Sequence, residues 1–154
     1  MVSKRSEIAR TLQNAEASCQ AAGVRLTTKR QRTLSILLDS DAPISAYELV
    51  ERYQSSYGES LTAMSAYRML GFLVKEELAH KLQSVNKYTA CRHINCDHGH
   101  ELPQFLICDN CDAVSEIGIR KDTLSKLRDG VGDTGFRLNE QQLELHGLCK
   151  ACQQ

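Results

Sequence analysis

Two CxxC pairs, Cys108-Asp109-Asn110-Cys111 and Cys149-Lys150-Ala151-Cys152, set the chemistry open to this sequence. A CxxC turn presents two thiolates on one side of a tight loop. A fold that brings the second pair opposite the first closes a four-thiolate tetrahedral shell around zinc. A closed shell leaves no position for a substrate, so its metal is structural. A disulfide framework is the competing reading, but disulfide-stapled domains seldom carry long helical patterns, and the N-terminus shows no signal-peptide pattern. A second concentration of ligands lies between Cys91 and Cys108, where His93, Cys96, His98 and His100 sit among Arg92, Asp97, Gly99, Glu101 and Pro103. That composition is poor for a core and rich in borderline-soft donors, so it reads as a metal-binding hinge.

The elements that must position these residues follow from periodicity. Ile8, Leu12, Ala15 and Cys19 recur at spacings of three and four from about Arg5 to Ala22, an amphipathic helix ended by Gly23, with Cys19 in the core. A second helix follows the Thr27-Thr28 cap signal and runs through Leu34, Ile36, Leu37 and Leu38 to Asp39. Ser45-Ala46-Tyr47-Glu48 is a capping box, in which the Ser hydroxyl and the Glu carboxylate reciprocally satisfy free amides; this helix runs to about Gln54. After a loop from Ser55 to Ser60, Met64, Tyr67, Leu70, Leu73 and Val74 trace one face of a helix from about Thr62 to Glu76. Leu78 to Leu82 and Lys87 to Cys91 alternate around a turn at Ser84-Val85-Asn86, a β-hairpin. Helices closing in a helix-turn-helix and followed by a two-stranded wing make a winged-helix DNA-binding module. Ser65, Tyr67 and Arg68 lie on the exposed or half-exposed side of its reading helix, Tyr47 opens the helix before it, and Arg25 with Lys29 to Arg32 is the basic segment. Arg68 is the foremost candidate for a base or phosphate contact.

Past the hinge, Gln104 to Cys108 and Ala113 to Ile117 read as a strand pair, Lys121 to Val131 as a short amphipathic helix, and Phe136 to His146 as a further strand. The fold class is therefore α+β, with a winged-helix domain at 1–91, a metal-binding hinge at 92–103 and a small dimerisation domain at 104–154. That last domain buries too little surface alone, so a second chain is expected. Composition adds limits. Across 154 residues Lys plus Arg equals Asp plus Glu at 19 each, so overall charge gives no sign of nucleic acid. No run reaches the ~18 apolar residues of a membrane span, which points to a soluble, cytoplasmic protein.

Four segments resemble the ferric uptake regulator family, and most nearly its zinc uptake regulator branch: Arg25-Leu26-Thr27 with Arg30, Ile44-Ser45-Ala46-Tyr47, Ser65-Ala66-Tyr67-Arg68-Met69-Leu70, and the two knuckles with their flanks, Phe105 to Cys111 and His146 to Cys152. The resemblance spans nearly the whole chain. It implies a homodimeric repressor of zinc uptake genes that binds palindromic operator DNA, with about two zinc ions per subunit and neither an enzymatic activity nor a small-molecule substrate. Cys108, Cys111, Cys149 and Cys152 would hold the structural ion. His80, Cys91, a histidine of the His98/His100 pair and Glu116 would hold a regulatory one. Such a shell of imidazoles, one thiolate and a carboxylate suits tetrahedral zinc better than iron. Ligands on both wing and dimerisation domain are satisfied together in only some interdomain orientations, so metal would select the DNA-competent one.

The chain departs from the family pattern at Met64, where the zinc branch often has proline, at Asp112, where glycine is usual, and at Thr28-Lys29 in place of Pro-Gln. His93 and Cys96 have no assigned role. The alternatives are an iron or peroxide sensor of the same fold, and a zinc hydrolase using His80, Cys91, a histidine and Glu116 as base.

Overall fold

The structure is a computed structural model in which residues 3–96, 103–139 and 142–153 are described. The chain divides into two compact units, Met1–Asp97 and His98–Gln154.

The first unit begins with α1 (Lys4–Ala21), capped by the Ser3 side chain. Its buried stripe is Thr11, Ala15 and Cys19, with Leu12 packed at the edge. Then come α2 (Thr28–Asp39), α3 (Ala46–Tyr57) and α4 (Ala63–Lys75), capped in turn by Thr27, Ser45 and Thr62. The capping box forms as read: the Ser45 N–H donates to Glu48 Oε2 at 2.6 Å and the Glu48 N–H to Ser45 Oγ at 3.1 Å. α3 runs a turn beyond the expected Gln54, through Ser55 and Ser56, until Gly58 in the left-handed region (φ 65°) ends it. Leu34, Leu49, Tyr53, Leu70 and Leu73 form the centre of one core, each fully buried.

One expectation about a face changes here. The buried face of α4 is Ala66, Met69, Leu70 and Leu73. Met64, 66% exposed, stands on the outer side although its spacing matches the apolar stripe, and Tyr67, 40% exposed, lies on the open side with Arg68. β1 (Ala79–Leu82) and β2 (Lys87–Ala90) then pair antiparallel, with Leu82 opposite Lys87 across the turn and Asn86 left-handed at φ 51°. Ile44 adds a bridge to Tyr88 in both directions, at 3.0 and 2.8 Å, which fixes the base of the wing against the start of α3.

In the second unit β3 (Pro103–Cys108) is the middle strand, antiparallel to β4 (Val114–Gly118) and parallel to β5 (Leu143–Gly147). α5 (Lys121–Gly132) connects β4 to β5 and has no buried residue. The last strand starts at Leu143 rather than Phe136: residues 136–139 are non-strand, and Phe136 is exposed. β5 exists only as far as β3 gives it partners, from Gln104 opposite Leu143 to Cys108 opposite Gly147. The large apolar side chains fully enclosed among this unit's described residues are Phe105 and Ile107. No helix among the described residues is long and apolar enough to cross a membrane.

Candidate functional site

Parallel pairing of β3 with β5 carries both CxxC pairs out at the same end of the sheet, because Cys108 ends β3 in register with Gly147, two residues before Cys149. None of the seven cysteines is in a disulfide. Cys108 and Cys111 are bridged by a turn in which the Asp112 N–H donates to the Cys108 carbonyl at 3.0 Å and Asp112 takes φ 59°. Cys149 begins a 3-10 turn (Lys150–Cys152) closed by the Cys152 N–H on the Cys149 carbonyl at 2.9 Å. The four Sγ atoms all lie within 4.8 Å of one another. Cys111 and Cys149 Sγ are 3.7 Å apart, and tetrahedral zinc with bonds of about 2.3 Å requires roughly 3.8 Å between sulfurs. The residues fit a structural zinc ion.

Electrostatics agree with that fit. Backbone N–H groups of Cys149, Cys111 and Asn110 hold the Cys108 thiol down at about 6, a thiolate at neutral pH. Cys111 is pushed up to about 12: the Ala113 N–H favours its thiolate, but the sulfurs of Cys108, Cys149 and Cys152 around it prevail. Four thiolates at this spacing need a cation between them. Outer contacts steady the knuckles. The Cys149 N–H donates to Cys108 Sγ at 3.3 Å, Asn110 Nδ2 to Cys152 Sγ at 3.3 Å, and the Asp109 N–H to the Gly147 carbonyl at 2.9 Å. His146 Nδ1 lies 2.7 Å from Asp109 Oδ1. Such outer partners orient ligands and set affinity. Spacing in the sequence gives His146, Asp109 and Asn110 no such role.

Within the first unit, His80 on β1 and Cys91 just after β2 bring an imidazole nitrogen and a sulfur within 4.8 Å. The antiparallel hairpin causes this, since Ala79 opposes Ala90 and the Cys91 N–H continues the pairing onto the Leu78 carbonyl at 3.0 Å. Cys91 is buried, and the His80 Nε2 atom is shut off from solvent. A thiolate and an imidazole at this separation fit a shared borderline metal ion. The His93 N–H donates to Cys91 Sγ at 3.4 Å. Glu116 sits on β4 opposite Phe105, half-buried. His98 and His100 lie outside the described residues, so the choice between them stays open. His93 and Cys96 are both exposed. Cys19 is a core residue whose thiol is pushed up by burial and by Glu76.

On the helix-turn-helix, Tyr47 (66% exposed), Tyr67 and Arg68 are open to solvent and Ser65 is half-buried, its N–H bonded to Thr62 Oγ1 at 3.2 Å. Arg25 and Lys29 are exposed. Arg30 is engaged inside the unit: its guanidinium lies 3.6 Å from the Phe72 ring centre and Nη1 donates to the Arg25 carbonyl at 2.7 Å. Arg32 is likewise tied, to Glu59 at 2.9 Å and over the Tyr57 ring.

A model of the ferric uptake regulator family matches residues 21–146. The zinc uptake regulation protein of Escherichia coli (strain K12) is 35% identical over 144 residues, covering 92% of this chain and 80% of that protein. Among solved structures, a zinc uptake regulator complexed with zinc and DNA is 30% identical with a TM-score of 0.79, covering 99% of this chain and 96% of that one. The holo form of XcZur is 35% identical with a TM-score of 0.75, over 92% of this chain and 95% of that one.

Proposed function

We propose that this chain, which belongs to the ferric uptake regulator family, is a zinc-responsive transcriptional repressor of zinc uptake genes. It is a regulator and not an enzyme. The observation that carries the metal assignment is the pairing of a thiolate, Cys91, with His80 on the wing in addition to the four-cysteine knuckle. A thiolate-bearing sensor shell favours zinc over iron or manganese, which take sites richer in carboxylate and imidazole. Each subunit then holds about two zinc ions, one in the knuckle and one regulatory, the latter completed by Glu116 and by His98 or His100.

The reading helix α4 presents Arg68 and Tyr67 to the major groove. Tyr47 and Ser65 contact its edge, and Arg25 and Lys29 meet phosphates. Arg30 fixes α2 against Phe72 for that purpose. The protein acts in the cytoplasm as a homodimer, and a two-fold dimer reads a palindromic operator. The second unit supports the pairing: Leu106 and Leu145, register partners on one sheet face, are 41% and 48% exposed, with Leu148 beyond them at 51%. Such a contiguous apolar patch is the sort that a second copy covers. Zinc and operator stabilise the same conformation, so each raises the affinity for the other by one factor.

The test is a DNA-binding titration against free zinc, ferrous iron and manganese on a palindromic and a scrambled operator, with metal content measured in parallel. Zinc alone should promote operator binding, and Cys91→Ser should abolish that response while retaining the knuckle zinc and the dimer. Equal response to ferrous iron, or a zinc response undiminished in Cys91→Ser, would overturn the proposal.

A further inference from the structure

The turn that follows the wing is fastened to α1 by a side-chain chain of three hydrogen bonds. Asn14 Nδ2 donates to Asn95 Oδ1 at 2.7 Å, Asn95 Nδ2 donates to Thr11 Oγ1 at 2.9 Å, and Thr11 Oγ1 donates to the Glu7 carbonyl at 2.9 Å. The donor directions are mutually forced. The single Thr11 proton is used on Glu7, so Thr11 can only accept from Asn95; that places the Asn95 carbonyl toward Asn14, whose amide nitrogen must donate. Thr11 is 5% exposed, so the inner end of this chain is shielded from competing water, and an orphaned polar group there carries a desolvation penalty.

The fastened turn, Arg92–Asn95, is the one that addresses the Cys91 sulfur. Its His93 N–H donates to Cys91 Sγ at 3.4 Å, and the Cys96 N–H closes it on the His93 carbonyl at 3.0 Å. Between the two anchors Ile94 packs against the core cluster. Fixing Asn95 therefore fixes the nearby peptide that faces the sulfur. An N–H aimed at a thiolate stabilises its negative charge and restricts its rotamer, the two ways an outer partner tunes a metal ligand.

We infer that Asn95 is a positioning residue for the regulatory metal, holding the His93 N–H on the Cys91 thiolate by pinning the post-wing turn to α1. This rests on the proposal that Cys91 is a regulatory ligand.

The experiment uses the full chain with its knuckle zinc retained. Regulatory binding is read by competition between added zinc and a chromophoric chelator, and separately by adding cobalt and recording the thiolate-to-metal charge-transfer band. Asn95→Ala and Thr11→Val should each weaken zinc by about tenfold, the lower end of what outer partners contribute. They should also shift or diminish the cobalt band, and the double variant should be no worse than the poorer single. Leu12→Ala, which removes α1 packing without touching the pin, supplies the control for general destabilisation and should leave both readouts unchanged. Wild-type zinc affinity in Asn95→Ala and Thr11→Val, alongside loss of the site in Cys91→Ser, overturns the role of Asn95. So does equal weakening in Leu12→Ala. A Cys91→Ser protein that titrates like wild type instead overturns the ligand assignment underneath. Thr11→Val, close to isosteric, keeps the test open if Asn95→Ala fails to fold.

Discussion

Replacing Cys108 with serine should unfold the second unit and leave the first standing. Cys108 Sγ accepts backbone N–H groups and is a thiolate at neutral pH, with its pKa held at about 6; a serine hydroxyl in its place stays protonated and binds zinc poorly. Phe105 and Ile107, buried to 0% and 3% exposure, are the large apolar side chains enclosed among this unit's described residues, and together they contribute roughly 3–6 kcal/mol. A structural zinc ion contributes on the order of 10–16 kcal/mol, more than that pair and comparable to the whole stability of an ordinary domain. Losing the metal therefore removes the interaction that contributes most to holding this unit folded. The first unit has an independent core around Leu34, Leu49, Tyr53, Leu70 and Leu73. The measurement is zinc content together with hydrogen exchange read peptide by peptide. The variant should carry one zinc ion fewer, with β3, β4 and β5 amides exchanging almost freely while α2, α3 and α4 stay protected. Protection of β3 to β5 within tenfold of wild type in protein lacking that zinc would show that the apolar core suffices, and the reasoning would be refuted.

Further outcomes are expected at five positions. Arg68→Ala should cost roughly 1–3 kcal/mol of operator affinity and relax selectivity at one position of each half-site, measured across single-base operator variants; Tyr47→Ala should weaken binding with less loss of selectivity. Leu145→Asp puts a charge into the exposed Leu106–Leu145 patch and should shift sedimentation from dimer to monomer with the knuckle zinc still bound. Asp112→Gly relieves a left-handed residue at φ 59° and should raise the melting temperature of the zinc-loaded protein, by an amount corresponding to roughly 1 kcal/mol. Glu48 has its carboxyl held below the usual range, first by the Ser45 N–H and, against the opposing effect of its partial burial, by Lys87. A lowered folded pKa means stability present above the unfolded value and lost as pH falls through the folded one. Glu48→Gln should thus flatten the acid limb of the unfolding profile, and an unchanged limb would exclude Glu48 as a contributor.

Local signals are legible in the sequence and long-range ones are not. The Ser45–Glu48 box needs only residues three apart, and it forms as read. The Cys pairs carry their own spacing, so the four-sulfur cluster is expected before any fold is known. By contrast, the apolar spacing of Met64, Tyr67 and Leu70 cannot say which residues meet the rest of the unit; Ala66 and Met69 join Leu70 on the buried face, and Met64 remains outside with Tyr67. Periodicity ends α3 too early because Ser55 and Ser56 are weak helix formers, whereas packing of Tyr53 and Tyr57 carries the helix to Gly58. Alternation starts β5 too early because a strand's extent is set by its partner, here β3, and not by its own pattern. Arg30 looks like a surface cation in a basic run until Phe72 is placed beneath it. The Thr11–Asn95–Asn14 chain leaves no trace in sequence, since its members are 81 and 84 positions apart.

The parallel register of β3 and β5 has a bearing on biosynthesis. Half of the knuckle ligands, and one neighbour of the middle strand, reach the ribosome exit only after α5 has been made. Until then β3 lacks its β5 partner and Cys108 and Cys111 can offer zinc only two thiolates. The DNA-reading unit, complete by Asp97, has its whole core available much earlier. A nascent chain thus passes through a stage in which it carries a folded reading helix but no closed knuckle. The four-sulfur knuckle can close only once Cys149 and Cys152 have followed β5, and a chain broken anywhere between Asp97 and Cys149 lacks half of its sulfurs.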